Sequence, residues 1–186
     1  MKSVLISIRP KWTEKIASGQ KTIEVRRTRP KLEVPFKCYI YETKGQYIKF
    51  IHGAHTKYGY GRGKVIGEFI CDKVYSIKNR GSSFSVADEE QSVTNEIARQ
   101  SCLYYDDMVS YFGNKDGFGW HISDLTLYDK PKELSEFRKP CPYGDLPCWI
   151  CPSCDKDEND NLIQCFNTVS RPPQSWQYIE DLGEKE

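Results

Sequence analysis

Five cysteines crowd into the stretch from Cys141 to Cys165 of this 186-residue chain: Cys141, Cys148, Cys151, Cys154 and Cys165. The run Cys148-Trp-Ile-Cys151-Pro-Ser-Cys154 holds two overlapping pairs, each separated by two residues. That spacing suits a metal, because a tight turn aims two thiolates and the adjacent backbone amides at one centre. Thiolates select zinc or an iron–sulfur cluster. Zinc is favoured because the chain supplies all four ligands and leaves no open position for chemistry. The expected ligands are Cys148, Cys151, Cys154 and Cys165, with Cys141 able to replace one of them. The role is structural, stapling a segment that has few apolar residues to fold around. Cys38, Cys71 and Cys102 fall on strands or helices and read as core filler.

A second constellation is charged. Lys21, Glu24, Arg26, Arg27 and Arg29 follow one another closely, and Glu68 lies between Ile66 and Ile70. If those three share one strand face, the Glu68 carboxylate is desolvated and requires a cationic partner. Lys21 and Arg26 are the expected ones. Arg26, Arg27 and Arg29 together form a candidate phosphate-binding rim, since a guanidinium grips phosphate in bidentate fashion. Trp12, Tyr58, Tyr60 and Trp120 are candidate surfaces on which a base stacks. His52, His55 and His121 are too dispersed to argue a metal or a triad, and no Gly-x-Ser-x-Gly elbow or Walker loop occurs. Gly59-Tyr-Gly-Arg-Gly63 precedes a strand, so it lacks the helix N-terminus of a phosphate cradle.

Net charge is +1, but the two halves differ sharply. Residues 1–80 carry 18 Lys and Arg against 6 Asp and Glu, a balance of +12, and residues 81–186 balance at −11. A basic face steers polyanions and neutralises phosphates. The competing reading is that the two halves pack and pair their charges. No run approaches the ~18 apolar residues of a membrane span, and Val4 to Ile8 is too short for the core of a signal peptide. A cytoplasmic protein, of a bacterium or a phage-infected host cell, is the expectation.

The elements that position these residues follow from periodicity. Val4 to Ile8 reads as a buried strand, and Pro10 opens a helix through Ser18 with Trp12 and Ile16 on one face. Lys21 to Arg27 alternates as a strand, with Ile23 and Val25 facing one way and Glu24 and Arg26 the other. Phe36 to Tyr41 is a strand, Gly53 to Gly63 a glycine-rich loop, and Lys64 to Tyr75 one long strand. Gly81 to Gln91 is turn-like. Helices over Thr94 to Ser101 and Tyr104 to Phe112 precede a strand from Gly117 to Tyr128. A cysteine-rich insertion at 139–166 precedes a last strand, Trp176 to Ile179. The expectation is a single α+β domain over 1–186, a small curled sheet or barrel flanked by helices.

The segment Ser18-Gly19-Gln-Lys21-Thr22-Ile-Glu24-Val-Arg26 resembles the signature of the ASCH family, a branch of the PUA-like β-barrels. Gly63-Lys-Val-Ile-Gly-Glu68-Phe is similar to the family's following strand, and Arg171-Pro-Pro-Gln-Ser-Trp176 resembles a subset common in phages and prophages. The resemblance implies a PUA-like small barrel with a cleft between the first helix, the Lys21–Arg26 strand and the Glu68 strand. It implies binding of RNA or a modified base there. Some members resemble amidohydrolases that use a lysine, a threonine and a glutamate; Lys21 and Glu68 match two positions, while Glu24 replaces the threonine nucleophile. The leading expectation is therefore a module that binds RNA, single-stranded nucleic acid or a nucleotide, such as a phage-encoded regulator. Its ligand contacts would be Lys21, Glu24, Arg26, Arg27, Arg29, Glu68, Trp12 and Trp120. One alternative is a hydrolase of modified nucleosides or RNA using Lys21, Glu24 and Glu68. Another is a zinc-stapled module that docks a protein partner.

Overall fold

The computed structural model describes residues 2–51, 55–81, 83–143, 150–152, 154–159, 162–165 and 167–180. The first half runs β1 (Lys2–Ile8), α1 (Pro10–Ala17), β2 (Ile23–Arg26) and β3 (Phe36–Glu42). The hairpin β4 (Gln46–Ile51) and β5 (His55–Tyr60) follows, then β6 (Lys64–Cys71), β7 (Val74–Asn79) and β8 (Phe84–Val86). Two helices, α2 (Gln91–Ser101) and α3 (Tyr105–Phe112), lead to β9 (Gly117–His121) and β10 (Ser123–Lys132). A small hairpin of β11 (Cys154–Lys156) and β12 (Leu162–Cys165) precedes β13 (Trp176–Glu180).

Two open sheets build the core. The larger has the order β10-β6-β3-β1-β13, the smaller β2-β9-β7-β8. In β1, Val4, Leu5, Ile6 and Ile8 are all buried, the continuous apolar run of a strand covered on both faces. One face of the larger sheet, through Val4, Ile6, Cys38, Ile40, Phe69 and Cys71, packs on Ile16 of α1 and Trp120 of β9. Its other face, through Leu5, Tyr39, Val65 and Ile179, is covered by Phe137 and Val169. The smaller sheet turns Ile23, Val25 and Ile77 toward Ile97 of α2 and toward Met108 and Phe112 of α3. Among the described residues neither sheet closes on itself, so the expected barrel is instead a mixed α+β arrangement of two open sheets with three helices.

Two expected long strands each break in two where the chain passes from one sheet to the other. The first breaks between β6 and β7 at Asp72 and Lys73, the second between β9 and β10 at Ile122. The two corners are tied together. His121 Nδ1 lies 2.6 Å from Asp72 Oδ1, and the His121 amide donates to Lys73 O at 2.9 Å. The expected glycine-rich loop forms strand β5 through most of its length, paired with β4 from Gln46↔Tyr60 to Ile51↔His55. Cys38 and Cys71 are buried core residues as expected, and burial pushes the Cys71 thiol up to about 12. Cys102 is not core filler: it is partly exposed and caps α2 in the left-handed conformation, φ 55°.

Candidate functional site

Strand β2 is buried on both faces. Its alternation sends Ile23 and Val25 into the cluster beneath α2 and α3, leaving Glu24 and Arg26 to face the space between the sheets. The cross-strand partners of Glu24 and Arg26 are Trp120 and Phe118, both packed in that space. The result is a buried ionic cluster. Glu24 Oε2 stands 3.2 Å from Lys21 Nζ, and Glu24 Oε1 stands 3.0 Å from Arg26 Nη2. Lys21 is 2% exposed, Glu24 6% and Arg26 7%.

The two cations are engaged differently. Lys21 Nζ also donates to Ile23 O at 2.7 Å and to Ser101 O at 2.8 Å, so its three protons meet three acceptors. Ser101 ends α2, where the helix dipole favours a cation. Arg26 Nη2 donates to Ser7 O at 2.6 Å, and Nη1 reaches Ser175 Oγ at 3.5 Å. Its Nε has no hydrogen-bond partner, and neither has Trp120 Nε1. The cluster therefore holds two cations, one carboxylate and two neighbouring buried donors without an acceptor.

Helix α1 lies over this layer. Pro10 at the first turn starts it, and Trp12 is half-buried against the core cluster. Three ammonium groups surround the Trp12 indole: Lys11, Lys21 and Lys15, at 4.6, 5.4 and 5.8 Å from the ring centroid. Beneath the same helix, Glu42 at the end of β3 is buried. Its carboxylate accepts from Thr13 Oγ1 at 2.5 Å and from the Arg62 amide at 2.9 Å. Sequence reasoning passed over both residues. The available signal was a single carboxylate closing the apolar strand Phe36–Glu42.

Several expected assignments change. Glu68 does not pair with Lys21 or Arg26. A register shift in β3–β6 pairs Ile40 with Gly67 and Tyr41 with Val65, leaving Ile66 as an extra residue. This bulge places Ile66 on the face of Phe69 and Cys71, while Glu68 lies opposite Tyr39 on the other face of the sheet. There it is 26% exposed, 3.5 Å from Lys37 Nζ, and accepts a hydrogen bond from the Tyr128 hydroxyl. The trio Lys21, Glu24 and Glu68 is thus divided by a β-sheet.

The arginine rim also disperses. Arg26 is buried in the ionic cluster, Arg27 turns to α3 and donates to Tyr111 O, and Arg29 donates to Leu32 O at 2.9 Å on its own loop. Trp120 is 0% exposed, wedged between Phe36 and Trp176, and offers no face to a base. Tyr60 is largely exposed, and the side chain of Tyr58 lies outside the described residues.

A cavity of about 240 Å³ opens on the other side of β2. It is lined by apolar groups such as Val25, Phe84, Ile97 and Met108 and by Thr94 and Asn95 of α2, with no ionisable acid or base except Tyr105. Its chemistry is that of packing between helix and sheet, so the charged layer under α1 is the better candidate site.

Of the expected metal ligands, Cys148 lies outside the described residues. Cys154 stands opposite Cys165 in the β11–β12 hairpin, and Cys151 approaches Cys141, with the sulfurs 3.7 Å apart. Among the described residues no three His, Cys, Asp or Glu side chains converge as a metal-holding group. None of their helices is long and apolar enough to cross a membrane.

Comparison with known proteins agrees with this architecture. No curated protein matches the chain. The crystal structure of ASCH from Zymomonas mobilis superposes with a TM-score of 0.54 at 17% identity, covering 96% of this chain and 88% of that one. A point mutant of the same Zymomonas mobilis protein gives a TM-score of 0.55 at 17% identity, over 98% and 93%. At such identity the likeness is one of fold. Residues 6–134, which hold the ionic cluster, α1 and Glu68, match the ASCH domain. The chain therefore belongs to the ASCH domain family, a PUA-like group associated with RNA binding.

Proposed function

We propose that this domain binds single-stranded RNA or a nucleotide at the face of α1, through Trp12 and the cations around it. The observation that carries the reading is a half-buried indole ringed by three ammonium groups, above a buried layer with two cations for one carboxylate. An aromatic face beside cations suits a base and its phosphate, because stacking tolerates any base and the cations neutralise the backbone. The family's association with RNA points the same way. Lys11 and Lys15 are the phosphate contacts in this scheme, and Arg26 is a positioning residue that sets the potential from below. The resemblance of Arg171–Trp176 to phage and prophage members supports a regulatory role.

Titration of the protein with a short single-stranded RNA and with a mononucleotide, followed by tryptophan fluorescence at two salt concentrations, tests this. Binding should weaken as salt rises, with a slope of about −0.7 per phosphate neutralised, and Lys11→Ala should lower that slope. Absence of binding at low salt would sink the reading.

One observation favours a second reading, a hydrolase. The Thr13 hydroxyl lies 2.5 Å from the buried Glu42 carboxylate, the arrangement of a nucleophile beside its base. It would replace the expected trio of Lys21, Glu24 and Glu68. Turnover of acylated nucleosides or RNA by wild type, lost in Glu42→Gln while the fold persists, would establish it. Zero turnover across such a screen leaves the pair as a tie between α1 and β3.

A further inference from the structure

The cavity of about 240 Å³ beside β2 has almost no ionisable lining, yet it is built as a binding pocket. Native interiors leave few voids larger than a water molecule, and a sizeable apolar cavity stays dry and accepts an apolar guest. Its floor is made by buried side chains, among them Val25 of β2, Ile77 of β7 and Ile97 of α2. Its mouth is made by exposed ones: Ser83, Gln91, Asn95 and Tyr105. The polar lining is already engaged. Thr94 Oγ1 accepts from the Val86 amide at 3.1 Å, Gln91 Nε2 donates to Asn95 Oδ1 at 3.1 Å, and Ser101 Oγ donates to Ala98 O at 2.8 Å. A guest therefore gains by burying apolar surface there.

Apolar surface continues outside the mouth. Tyr105 and Val109 are one turn apart on α3 and share a face; they are 44% and 39% exposed, and Tyr104 before them is 82% exposed. A pocket bordered by exposed aromatic side chains is the pattern of a protein interface, where one anchor fills a cavity and the contacts around it exclude water. A free small molecule would leave that border uncovered.

The surrounding charge defines the partner. Every lining residue except Val25 and Ile77 comes from residues 83–108. That segment carries six Asp and Glu against one Arg, a balance of −5. Lys73 approaches Glu89 and Arg99 approaches Glu96, but no ion pair among the described residues engages Asp88, Asp106 or Asp107. All three are exposed, Asp88 just before α2 and the others in the first turn of α3. Such a field repels a phosphate backbone and attracts lysine and arginine.

We propose that this cavity is a docking pocket for a protein partner that inserts one large apolar side chain from a lysine- or arginine-rich segment. Val25 faces it while Glu24 and Arg26 face the other way, so the pocket does not depend on the α1 reading.

The probes are short fluorescein-labelled peptides of glycine and lysine with phenylalanine, leucine or alanine at the centre, titrated against the full chain by anisotropy. The phenylalanine and leucine peptides should bind, the alanine peptide should bind about tenfold more weakly, and glutamate in place of lysine should abolish binding. Ala98→Phe fills the cavity from α2, and Asp106→Lys reverses an exposed charge beside Tyr105. Each should weaken the phenylalanine peptide several-fold. Should Ala98→Phe fail to fold, Asp106→Lys and the comparison of phenylalanine with alanine still decide the matter. Absence of binding, equal affinity for the phenylalanine and alanine peptides, or affinity unchanged in Asp106→Lys would overturn the proposal. So would a concentration-dependent dimer in sedimentation that Asp106→Lys dissolves, since it would give the pocket to a second copy of this chain.

Discussion

Glu24→Gln is the most informative single change, because Glu24 alone separates two buried cations. Its oxygens stand 3.2 Å from Lys21 and 3.0 Å from Arg26, and all three residues are nearly inaccessible. At an effective dielectric constant of about 20, opposite charges about 3 Å apart attract by roughly 5 kcal/mol. Two such contacts amount to about 10 kcal/mol of gross attraction, most of which offsets the cost of desolvating three charges. The variant keeps the shape and one acceptor oxygen but leaves both cations without a counter-charge. Breaking a buried ion pair in this way costs about 3–5 kcal/mol. For a chain of this length each kcal/mol is worth about 2–4 °C, so the melting temperature should fall by roughly 6–20 °C. Urea unfolding followed by tryptophan emission, with Trp120 and Trp176 6.0 Å apart beside the cluster, gives the free energy directly. The urea slope should match wild type, since the surface exposed on unfolding is unchanged. RNA should protect the variant more than wild type, because it supplies the missing negative charge. A variant within about 1 kcal/mol of wild type at equal slope would refute the claim that the cluster is held by Glu24.

Other outcomes follow from the same geometry. Glu68→Gln removes a partly exposed pair and should cost no more than about 1 kcal/mol, with RNA affinity unchanged; a loss of several kcal/mol in urea melts would return Glu68 to a buried network. Trp12→Leu retains the apolar packing of α1 but should weaken single-stranded RNA binding by roughly 1–3 kcal/mol in a fluorescence titration. Burial pushes the Asp72 carboxyl up, but the His121 hydrogen bond and charge, its own backbone amide and Ser123 together hold it below its ordinary value. A depressed carboxyl stabilises the fold above its unfolded value of 3.8 and loses that contribution as pH falls through the lower folded value. The stability difference between wild type and Asp72→Asn should therefore be present near neutrality and vanish in strong acid.

Much of the first domain half was legible because its signals are local. The apolar run of β1, Pro10 before α1 and the alternation of β2 each depend on neighbours within a few residues, and they place Glu24 and Arg26 on the face opposite Ile23 and Val25 as expected. That face is buried rather than a rim open to phosphate. Glu68 was misplaced because parity counting assumes an unbroken pleat. The bulge at Ile66 inverts the count, and it occurs where Gly67 meets β10 so closely that a Cβ would stand 2.4 Å from Thr126 O. The breaks at Asp72 and Ile122 escaped for a related reason. Strand character continues in the residues on both sides, and only the change of sheet, a tertiary event, divides it. Trp120 shows the limit for binding surfaces: an aromatic residue on a strand reads the same whether it faces solvent or, as here, the centre of the core.

The place of β1 in the larger sheet bears on how the chain reaches this fold. β1 lies between β3, which is parallel to it, and β13, whose pairing runs from Lys2↔Glu180 to Ile6↔Trp176. During synthesis β3 becomes available soon after β1, but the other edge of β1 stays open until residues 176–180 have been made. That edge belongs to an apolar strand and exposes unpaired amides and carbonyls, the kind of template that recruits other chains. Contacts so distant in sequence also form slowly, because the loop must close before they are rewarded. The interval between β3 docking and β13 arrival is therefore when a nascent chain of this protein is most exposed to aggregation, and an elongation pause after β12 would lengthen it.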